Sequence, residues 1–324
     1  MSDTAEAIRF IKAHDTFVVL GHKEPDGDCV ASQIAAARLL RALGKEATLH
    51  SAGPFDRPEI NPFESDFART VPVERRTSTA VIIVDCSTPD RTGSLGSTVA
   101  GLPCLVIDHH SAGESFGDAR MVDPSAPSTT ILLLDLFEAM GVTPDADTAR
   151  LILFGVCTDT GFFRHLGTGS ADTYRAIARL VELGTTTADV YMMVYGRREL
   201  GSRKLLGEML LRAESHGADR LILTWQTIAD RERPGAHQRG EDDLYRLLQT
   251  VKGNVVVALI KEEAKGLFSV GLRSTAAVDV GAVAASFGGG GHRQAAGFDI
   301  RGSLESVKKD VTEALAPLTA IPNP

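Results

Sequence analysis

Acidic residues or histidines follow each of three short apolar runs in the first 110 residues of the chain. The runs Phe17–Leu20, Ala80–Val84 and Leu105–Ile107 have the length and composition of buried strands. After the first run, residues 28–44 place apolar side chains at helical spacing, and another apolar run follows at Ala47–His50. Because parallel strands need a crossover connection, usually a helix, this order predicts an α/β domain built on a parallel sheet.

Several polar residues have the types that begin or end helices. Asp28 suits the N-cap of the first crossover helix, and Gly44 suits its end. Ser125, Ser128 and Thr129 precede an apolar run and could cap the helix that follows or contact a phosphate. Capping is the commoner role for Ser and Thr in this position, so we predict a cap there.

The polar residues after the apolar runs should lie at one edge of the sheet, because ligands of such sheets bind beyond the carboxyl ends of their strands. Asp159, after a helical stretch at Asp147–Val156, is a further candidate. Together these positions supply four carboxylates and two imidazoles: His22, Asp26, Asp28, Asp85, His109 and Asp159. A lone Asp at a strand end is usually a cap, but this conjunction predicts two divalent ions, Mn²⁺ or Mg²⁺, that share one carboxylate.

The pattern changes beyond about residue 195, where a basic and then helical stretch leads to a second set of strands. The second set comprises Arg220–Trp225, Val255–Lys261, Leu267–Arg273 and Ala296–Ile300. The short turn EEAKG joins two of them as a hairpin, which predicts a mixed sheet. We therefore predict a catalytic metal-binding domain at 1–195, a connecting helix at 196–215 and a smaller α/β domain at 216–324.

A run of four glycines, Gly288–Gly291, stands before His292 and Arg293 and predicts a flexible turn. Backbone N–H groups freed by glycines can hold an anion, and histidine or arginine can add charge-assisted hydrogen bonds. Arg273, followed by Ser274 at the end of a predicted strand, is a second candidate for holding an anion. A hinge and a surface arginine remain the alternatives for these two features.

Composition limits the functions open to a chain of 324 residues. Its hydrophobic content of 43% and charged content of 23% are typical of a globular protein, and no apolar stretch approaches the ~20 residues of a membrane span. The charged first residues lack a secretory pattern, so we expect a cytoplasmic protein without membrane partners. A net charge of −8 and only 6% aromatic residues argue against binding of long nucleic acids.

Four motifs in order carry a resemblance to a known family. They are HKEPDGD (22–28), VDCS (84–87), DHH (108–110) and CTDTG (157–161), and together they resemble the DHH family of phosphoesterases. The resemblance implies a parallel α/β fold and two divalent ions in each site, usually Mn²⁺, with Mg²⁺ or Co²⁺ as alternatives. This sequence departs from the family pattern at Cys29-Val30-Ala31, where relatives often have Ala-Leu-Gly.

The resemblance also implies a role for each matching residue. His22, Asp26 and Asp85 would hold one ion, and the other would have the ligands Asp28, Asp85, His109 and Asp159. Asp85 would bridge the ions and be catalytic through a hydroxide held between them. His110 would be catalytic by contacting the substrate phosphate or assisting proton transfer. Cys29, Cys86 and Cys157 neighbour these ligands; a metal or redox role is left open, because cysteine is commonly a small buried residue.

The second half of the chain resembles the DHH-associated C-terminal domain, through SVGLRS (269–274) and GGGGHRQAAGF (288–298). That resemblance implies that the nucleotide part of the substrate is bound by Arg273, Ser274, Gly290, Gly291 and His292. Length and domain order resemble the oligoribonuclease and adenosine 3',5'-bisphosphate (pAp) phosphatase branch. They imply a homodimer that hydrolyses short RNA and pAp to mononucleotides. Alternatives are a cyclic di-AMP or pApA phosphodiesterase, a pyrophosphatase or polyphosphatase, and a nucleotide sensor without turnover.

Overall fold

The computed structural model describes residues 3–72, 79–111, 113–236, 241–275 and 278–320. The chain divides into two compact units, Met1–Arg197 and Arg198–Pro324. Both units are α/β, the first with a parallel sheet and the second with a mixed sheet, so the predicted fold class is confirmed. Among the described residues, no helix combines the length and the apolar character needed to cross a membrane.

The first unit is built on five parallel strands in the order β2-β1-β3-β4-β5. The strands are β1 (Thr16–Leu20), β2 (Glu46–His50), β3 (Thr79–Val84), β4 (Cys104–Asp108) and β5 (Ala119–Val122). Its helices are α1 (Asp3–Ala13), α2 (Gly27–Ala42), α3 (Thr129–Ala139), α4 (Ala146–Asp159), α5 (Ala171–Glu182) and α6 (Thr187–Tyr195). Short 3₁₀ segments lie at Asn61–Asp66 and Pro89–Thr98.

Both faces of this sheet are buried, which explains why its strands are continuous apolar runs. Phe17 and Val19 of β1 belong to the main core, which includes residues of α1 to α6. Val18 and Leu20 point to the opposite face and belong to a smaller core that includes Leu95 from the segment Pro89–Thr98. Burial on both faces fixes each strand, and with it the position of the residue that follows the strand.

Helix α2 begins two residues earlier than its sequence pattern indicates. Its N-cap is Asp26, whose carboxylate accepts the backbone N–H of Cys29 at 3.1 Å. The prediction that Asp28 caps this helix is therefore wrong; Asp28 is fully buried inside the first turn. The predicted end is confirmed, since Gly44 lies just beyond the C-cap with a φ of 76° that suits glycine.

Two glycines allow α2 and α4 to pack in direct backbone proximity. A Cβ on Gly27 would lie 2.4 Å from the side chain of Thr158, and a Cβ on Gly155 would lie 2.7 Å from Oδ1 of Asp28. Separations this short are not tolerated between real atoms, so neither position accepts a side chain without movement of its neighbour. The two helices can therefore bring the acidic residues on them, Asp28 and Asp159, close together.

The second unit contains a six-stranded sheet in the order β10-β11-β9-β8-β7-β6, in which only β7 and β8 are parallel neighbours. Its strands are β6 (Glu214–His216), β7 (Leu221–Gln226), β8 (Val256–Ala264), β9 (Leu267–Ser274), β10 (Gly290–His292) and β11 (Ala295–Arg301). Its helices are α7 (Leu200–Leu211), α8 (Ile228–Arg231), α9 (Glu241–Gln249), α10 (Val280–Ser286) and α11 (Leu304–Thr319). The antiparallel pairing of β8 with β9 confirms the predicted hairpin.

The segment predicted as a connecting helix at 196–215 contains α7. Leu205 and Met209 of α7 pack with Ile222 of β7 in a core of the second unit. Helix α7 is thus part of the packing of this unit. The boundaries at 195 and 215 themselves stay predictions.

The glycine run forms an edge strand where the sequence predicts a flexible turn. Gly290 and Gly291 lie in β10, which pairs with β11 through a short hairpin. Gly291 has a φ of 140°, and a Cβ there would lie 2.5 Å from the carbonyl oxygen of Ala295. Close approach of β10 to β11 therefore requires a residue without a side chain at Gly291.

Candidate metal centre

The acidic and histidine residues that follow β1, β3 and β4 meet around Asp85. Oδ2 of Asp85 lies 3.5 Å from Nε2 of His22, and its Oδ1 lies 3.6 Å from Nε2 of His109. Nε2 of His22 is also 3.8 Å from Asp26, and Nε2 of His109 is 3.3 Å from Asp159. Asp85 is thus positioned between two groups of potential ligands, with one carboxylate oxygen toward each.

His22 and His109, the two histidines proposed as metal ligands, are each oriented by a hydrogen bond at Nδ1, the ring nitrogen that does not face Asp85. Nδ1 of His22 lies 2.8 Å from the carbonyl oxygen of Lys23, and Nδ1 of His109 lies 3.3 Å from that of Ala126. A carbonyl can only accept, so each Nδ1 donates and each Nε2 faces the carboxylates. Histidine ligands of metal ions are commonly fixed by such a hydrogen bond.

Asp28 joins the centre to the N-terminus of α3. Its two oxygens accept the backbone N–H groups of Thr129 at 2.7 Å and Thr130 at 3.1 Å, and the Thr130 hydroxyl at 2.8 Å. The predicted capping by serine or threonine is therefore wrong. Ser128 occupies the N-cap without a side-chain cap bond, and the Thr129 hydroxyl donates to Asp85 at 3.1 Å.

The electrostatics of the centre call for positive charge. Burial raises the pKa of Asp28 well above its usual range, and repulsion by Asp85, Asp159 and Asp26 raises it further. Burial, together with Asp85 and Asp26, raises the pKa of Asp159 to about 6, although His109 and His110 oppose the shift. A divalent cation between these carboxylates would offset both the burial cost and the repulsion.

The same field acts on His22. Burial disfavours its charged form, but Cys29, Asp26 and Asp85 outweigh burial and raise the pKa of His22 far above its usual value. Asp28, His109 and Asp159 place one ligand atom each within 4.8 Å of one another, and so do His22, Cys29 and Asp85. The residues present therefore fit two cations, one on each side of Asp85. Of the residues in these two groups, Cys29 is the one to which the resemblance to the DHH family gives no ligand role.

His110 is held in place by Asp108, the first residue of the DHH motif. Nδ1 of His110 lies 2.7 Å from Oδ1 of Asp108, and the same oxygen accepts the backbone N–H of His109 at 2.9 Å. The hydrogen bond that His110 donates to Asp108 is the largest cause of the raised pKa of His110. Asp108 is 3% exposed, so the carboxylate that orients the His110 imidazole through Nδ1 is itself buried.

A cavity of about 270 Å³ adjoins His110 and is lined by Asp108 and, on the edge strand β5, by Arg120. The Arg120 guanidinium donates to the Ser115 hydroxyl at 2.7 Å. No carboxylate of the described residues lies within ion-pair distance of Arg120, although Asp108 and Glu114 line the same cavity. Sequence reasoning did not single out Arg120, because an arginine on an edge strand is usually solvated.

In the second unit, the register of the sheet aligns two of the predicted substrate-binding residues. His292 pairs with Ala295, and Ala295 pairs with Arg273, so the three side chains share one face of neighbouring strands. With strands about 4.8 Å apart, the backbones of His292 and Arg273 are separated by about 10 Å. His292 is exposed, and the Arg273 guanidinium lies 4.7 Å from the ring centroid of Tyr245.

Ser274 differs from its neighbour Arg273. Its hydroxyl is buried and donates to the carbonyl oxygen of Val278 at 2.7 Å. The proton that a phosphate would accept is therefore already used in the turn that leads to α10. Gly290 and Gly291 lie on the exposed edge strand beside His292. Substrate binding by all five residues stays a prediction.

We expect Mn²⁺ to raise the midpoint of thermal unfolding of the metal-stripped protein by about 5–10 °C at roughly 100 times its dissociation constant. The physical reason is that the cation relieves the repulsion between the buried carboxylates. Differential scanning calorimetry of the full chain with and without Mn²⁺ measures the shift, and a chelator should reverse it. An unfolding midpoint that does not respond to Mn²⁺, Mg²⁺, Co²⁺ or Zn²⁺ would contradict a metal centre here.

The carboxylates and histidines that converge at the carboxyl edge of this parallel sheet are suited to binding divalent cations. The chain belongs to the DHH family: residues 16–156 match the model of the DHH family, N-terminal domain, and residues 228–318 match the model of the DHHA1 domain. The predictions of this family and of a phosphoric ester hydrolase are confirmed.

A curated relative supports this family, and two solved structures are similar in fold. The bifunctional oligoribonuclease and PAP phosphatase NrnA of Thermus thermophilus is 32% identical over 303 residues, which cover 90% of this chain and 89% of the relative. An exopolyphosphatase-related protein from Bacteroides fragilis has a TM-score of 0.83 at 22% identity, covering 98% of this chain and 96% of that chain. RecJ from Thermus thermophilus, in complex with Mn²⁺, has a TM-score of 0.55 at 17% identity. The match covers 99% of this chain and 55% of the RecJ chain.

Proposed function

We propose that the protein hydrolyses phosphoesters of short oligoribonucleotides and of pAp to mononucleotides, with Mn²⁺ as its metal. The observation that carries this proposal is the position of Asp85, whose two oxygens face the two histidines of separate ligand groups at 3.5 Å and 3.6 Å. The similarity to a bifunctional oligoribonuclease and PAP phosphatase over 90% of the chain supports the substrate class.

The residues would divide between two ions that share Asp85. One ion would be held by His22, Asp26 and Asp85, and the other by Asp28, Asp85, His109 and Asp159. Such a pair of ions supplies a water molecule with a lowered pKa and Lewis acids for the phosphoryl oxygens. The hydrogen bonds from Thr129 and Thr130 keep Asp28 and Asp85 in the orientation that this division needs.

His110 would act on the substrate from the rim of the centre. Its Nδ1 is bound to Asp108, so Nε2 can hold a phosphoryl oxygen or donate a proton to the leaving oxygen. The cavity beside His110, with the Arg120 guanidinium in its wall, would receive an anionic part of the substrate. Arg273 and His292 of the second unit would bind the nucleotide through a phosphate or a base.

We expect His292→Ala to raise KM for pAp about tenfold or more while kcat changes little. The change removes a hydrogen bond to a charged group, worth about 1.5–3 kcal/mol. Steady-state kinetics with Mn²⁺ measure both constants. His216→Ala, on the opposite edge strand β6 of the same sheet, is the matched control and should leave both unchanged. An unaltered KM in His292→Ala would remove this residue from substrate binding.

The proposed function is tested by incubating the purified full chain with Mn²⁺ and a panel of substrates. The panel contains pAp, a diribonucleotide, pApA, cyclic di-AMP, pyrophosphate and polyphosphate, each followed by chromatography and phosphate release. We expect the highest kcat/KM for pAp or the diribonucleotide. Preference for cyclic di-AMP, or for pyrophosphate or polyphosphate, would replace the proposed substrate class, and binding of pAp without turnover would identify a sensor.

The predicted cytoplasmic location and homodimer stay predictions. The panel also decides between metals when each substrate is assayed with Mn²⁺, Mg²⁺ and Co²⁺. The chemistry of the ligand groups, which are oxygens and imidazole nitrogens around Asp28, favours Mn²⁺ among these three as the ion on that side.

A further inference from the structure

Cys29 places a thiol against the metal centre. It is fully buried in the first turn of α2, directly after Asp28. Its sulfur, a ring nitrogen of His22 and a carboxylate oxygen of Asp85 all lie within 4.8 Å of one another. The backbone N–H of Cys29 also donates to Asp26, so the residue contacts the side of the centre that His22 and Asp26 form.

The thiol of Cys29 has two polar neighbours, the side chains of Gln33 and His22. Sγ lies 3.8 Å from Oε1 of Gln33, a weak contact for a thiol donor. The amide nitrogen of Gln33 is used elsewhere, because it donates to the carbonyl oxygens of Val19 and His50 at 3.2 Å and 2.9 Å. Those bonds fix the Gln33 side chain, and the other side chain that hydrogen-bonds the thiol is that of His22, a proposed ligand on the same side of the centre.

We infer that Cys29 is a ligand of the ion held by His22, Asp26 and Asp85, and that this position binds Zn²⁺ or Co²⁺ in preference to Mn²⁺. The inference rests on the two-ion centre of the proposed function and deepens it. One imidazole nitrogen, one sulfur and carboxylate oxygens form a mixed donor set. Thiolate favours Zn²⁺ and Co²⁺, whereas oxygen ligands suit Mn²⁺. As the sulfur–metal bond forms, the thiol proton passes to solvent.

The two sides of the centre therefore differ in chemistry. The group on the other side of Asp85 consists of Asp28, His109 and Asp159, which offer oxygen and nitrogen only. Its preference should remain with Mn²⁺ or Mg²⁺. The expected resting protein holds two different metals, with the thiophilic ion beside Cys29.

The test uses Co²⁺ as a spectroscopic probe on the metal-stripped full chain. Sulfur ligation gives Co²⁺ an intense near-ultraviolet charge-transfer band, and oxygen and nitrogen ligands do not. We expect this band in the parent protein, its loss in Cys29→Ala, and its retention in Cys86→Ala. Cys86 is a matched control because it is also buried, and its thiol donates to the carbonyl oxygen of Thr88 at 3.2 Å.

Competitive titrations supply a second measurement. Cys29→Ala should weaken Zn²⁺ binding by about tenfold or more, because the loss of even a residue that only hydrogen-bonds a metal ligand typically lowers metal affinity by that factor. The same substitution should change Mn²⁺ binding little. Circular dichroism confirms that the variant is folded. A parent protein that binds Co²⁺ without the band, or a band that survives in Cys29→Ala, overturns the inference and leaves the phosphoesterase proposal intact. A parent protein that binds no divalent ion overturns both.

Discussion

Asp85→Asn should lower kcat for pAp by about a thousandfold or more while the protein remains folded. Each oxygen of Asp85 faces one histidine, at 3.5 Å and 3.6 Å, so replacement of one oxygen by an amide NH₂ removes a ligand from one ion. Asparagine is the appropriate substitution, because Asp85 has a φ of 54° and asparagine tolerates this left-handed conformation.

The measurement is steady-state hydrolysis of pAp at saturating Mn²⁺, with calorimetric titration of Mn²⁺ on the same protein. Asp147→Asn is the matched control. Asp147 is a carboxylate on α4, the helix that carries Asp159, and within the described part of the chain its ion-pair partner is Arg150 at the surface. This control should retain full activity. Recovery of parental kcat by Asp85→Asn in excess Mn²⁺ would show that Asp85 is not shared between two ions.

Asp108→Asn is expected to have the second largest effect, a loss of about a hundredfold in kcat with metal binding unchanged. Asp108 is a positioning residue, since it accepts the Nδ1 hydrogen of His110 at 2.7 Å and touches no proposed ligand atom of the centre. An asparagine can present its NH₂ to Nδ1 and so favour the wrong tautomer or ring orientation.

Coupling between the two residues separates this role from a purely structural one. If Asp108 acts through His110, then His110→Ala and the double variant should have about the same kcat, because the residues work as one unit. Losses that multiply in the double variant would instead assign Asp108 an effect independent of His110. Calorimetric titration of Mn²⁺ should give parental affinity for all three variants.

The sequence predicted best the strands that are buried on both faces, because burial leaves a continuous apolar run in the sequence. The runs at Phe17–Leu20 and Ala80–Val84 fall within β1 and β3, because strands buried on both faces are apolar at every position. The sequence also predicted that polar residues after these strands would converge, because the carboxyl ends of parallel strands share one edge of the sheet. In the structure His22 and Asp85 do lie close together.

The errors arise where a side chain binds a distant backbone. Asp28 accepts hydrogen bonds from Thr129 and Thr130, more than 100 residues away, and nothing in the local pattern indicates such a partner. The same local pattern favoured Asp28 over Asp26 as the cap of α2, because both are acidic and only the packed structure distinguishes them. Local sequence also does not distinguish the surroundings of Arg273 and Ser274, whose side chains lie on opposite faces of β9; substrate binding by either residue stays a prediction.

Gly27 and Gly155 have a consequence for the precision of the centre. At these positions the side chains of Thr158 and Asp28 lie directly against the glycines, so the separation of α2 and α4, which carry Asp28 and Asp159, depends on the absence of a Cβ there. A single methyl group added at either glycine is therefore expected to alter the spacing of these two proposed metal ligands.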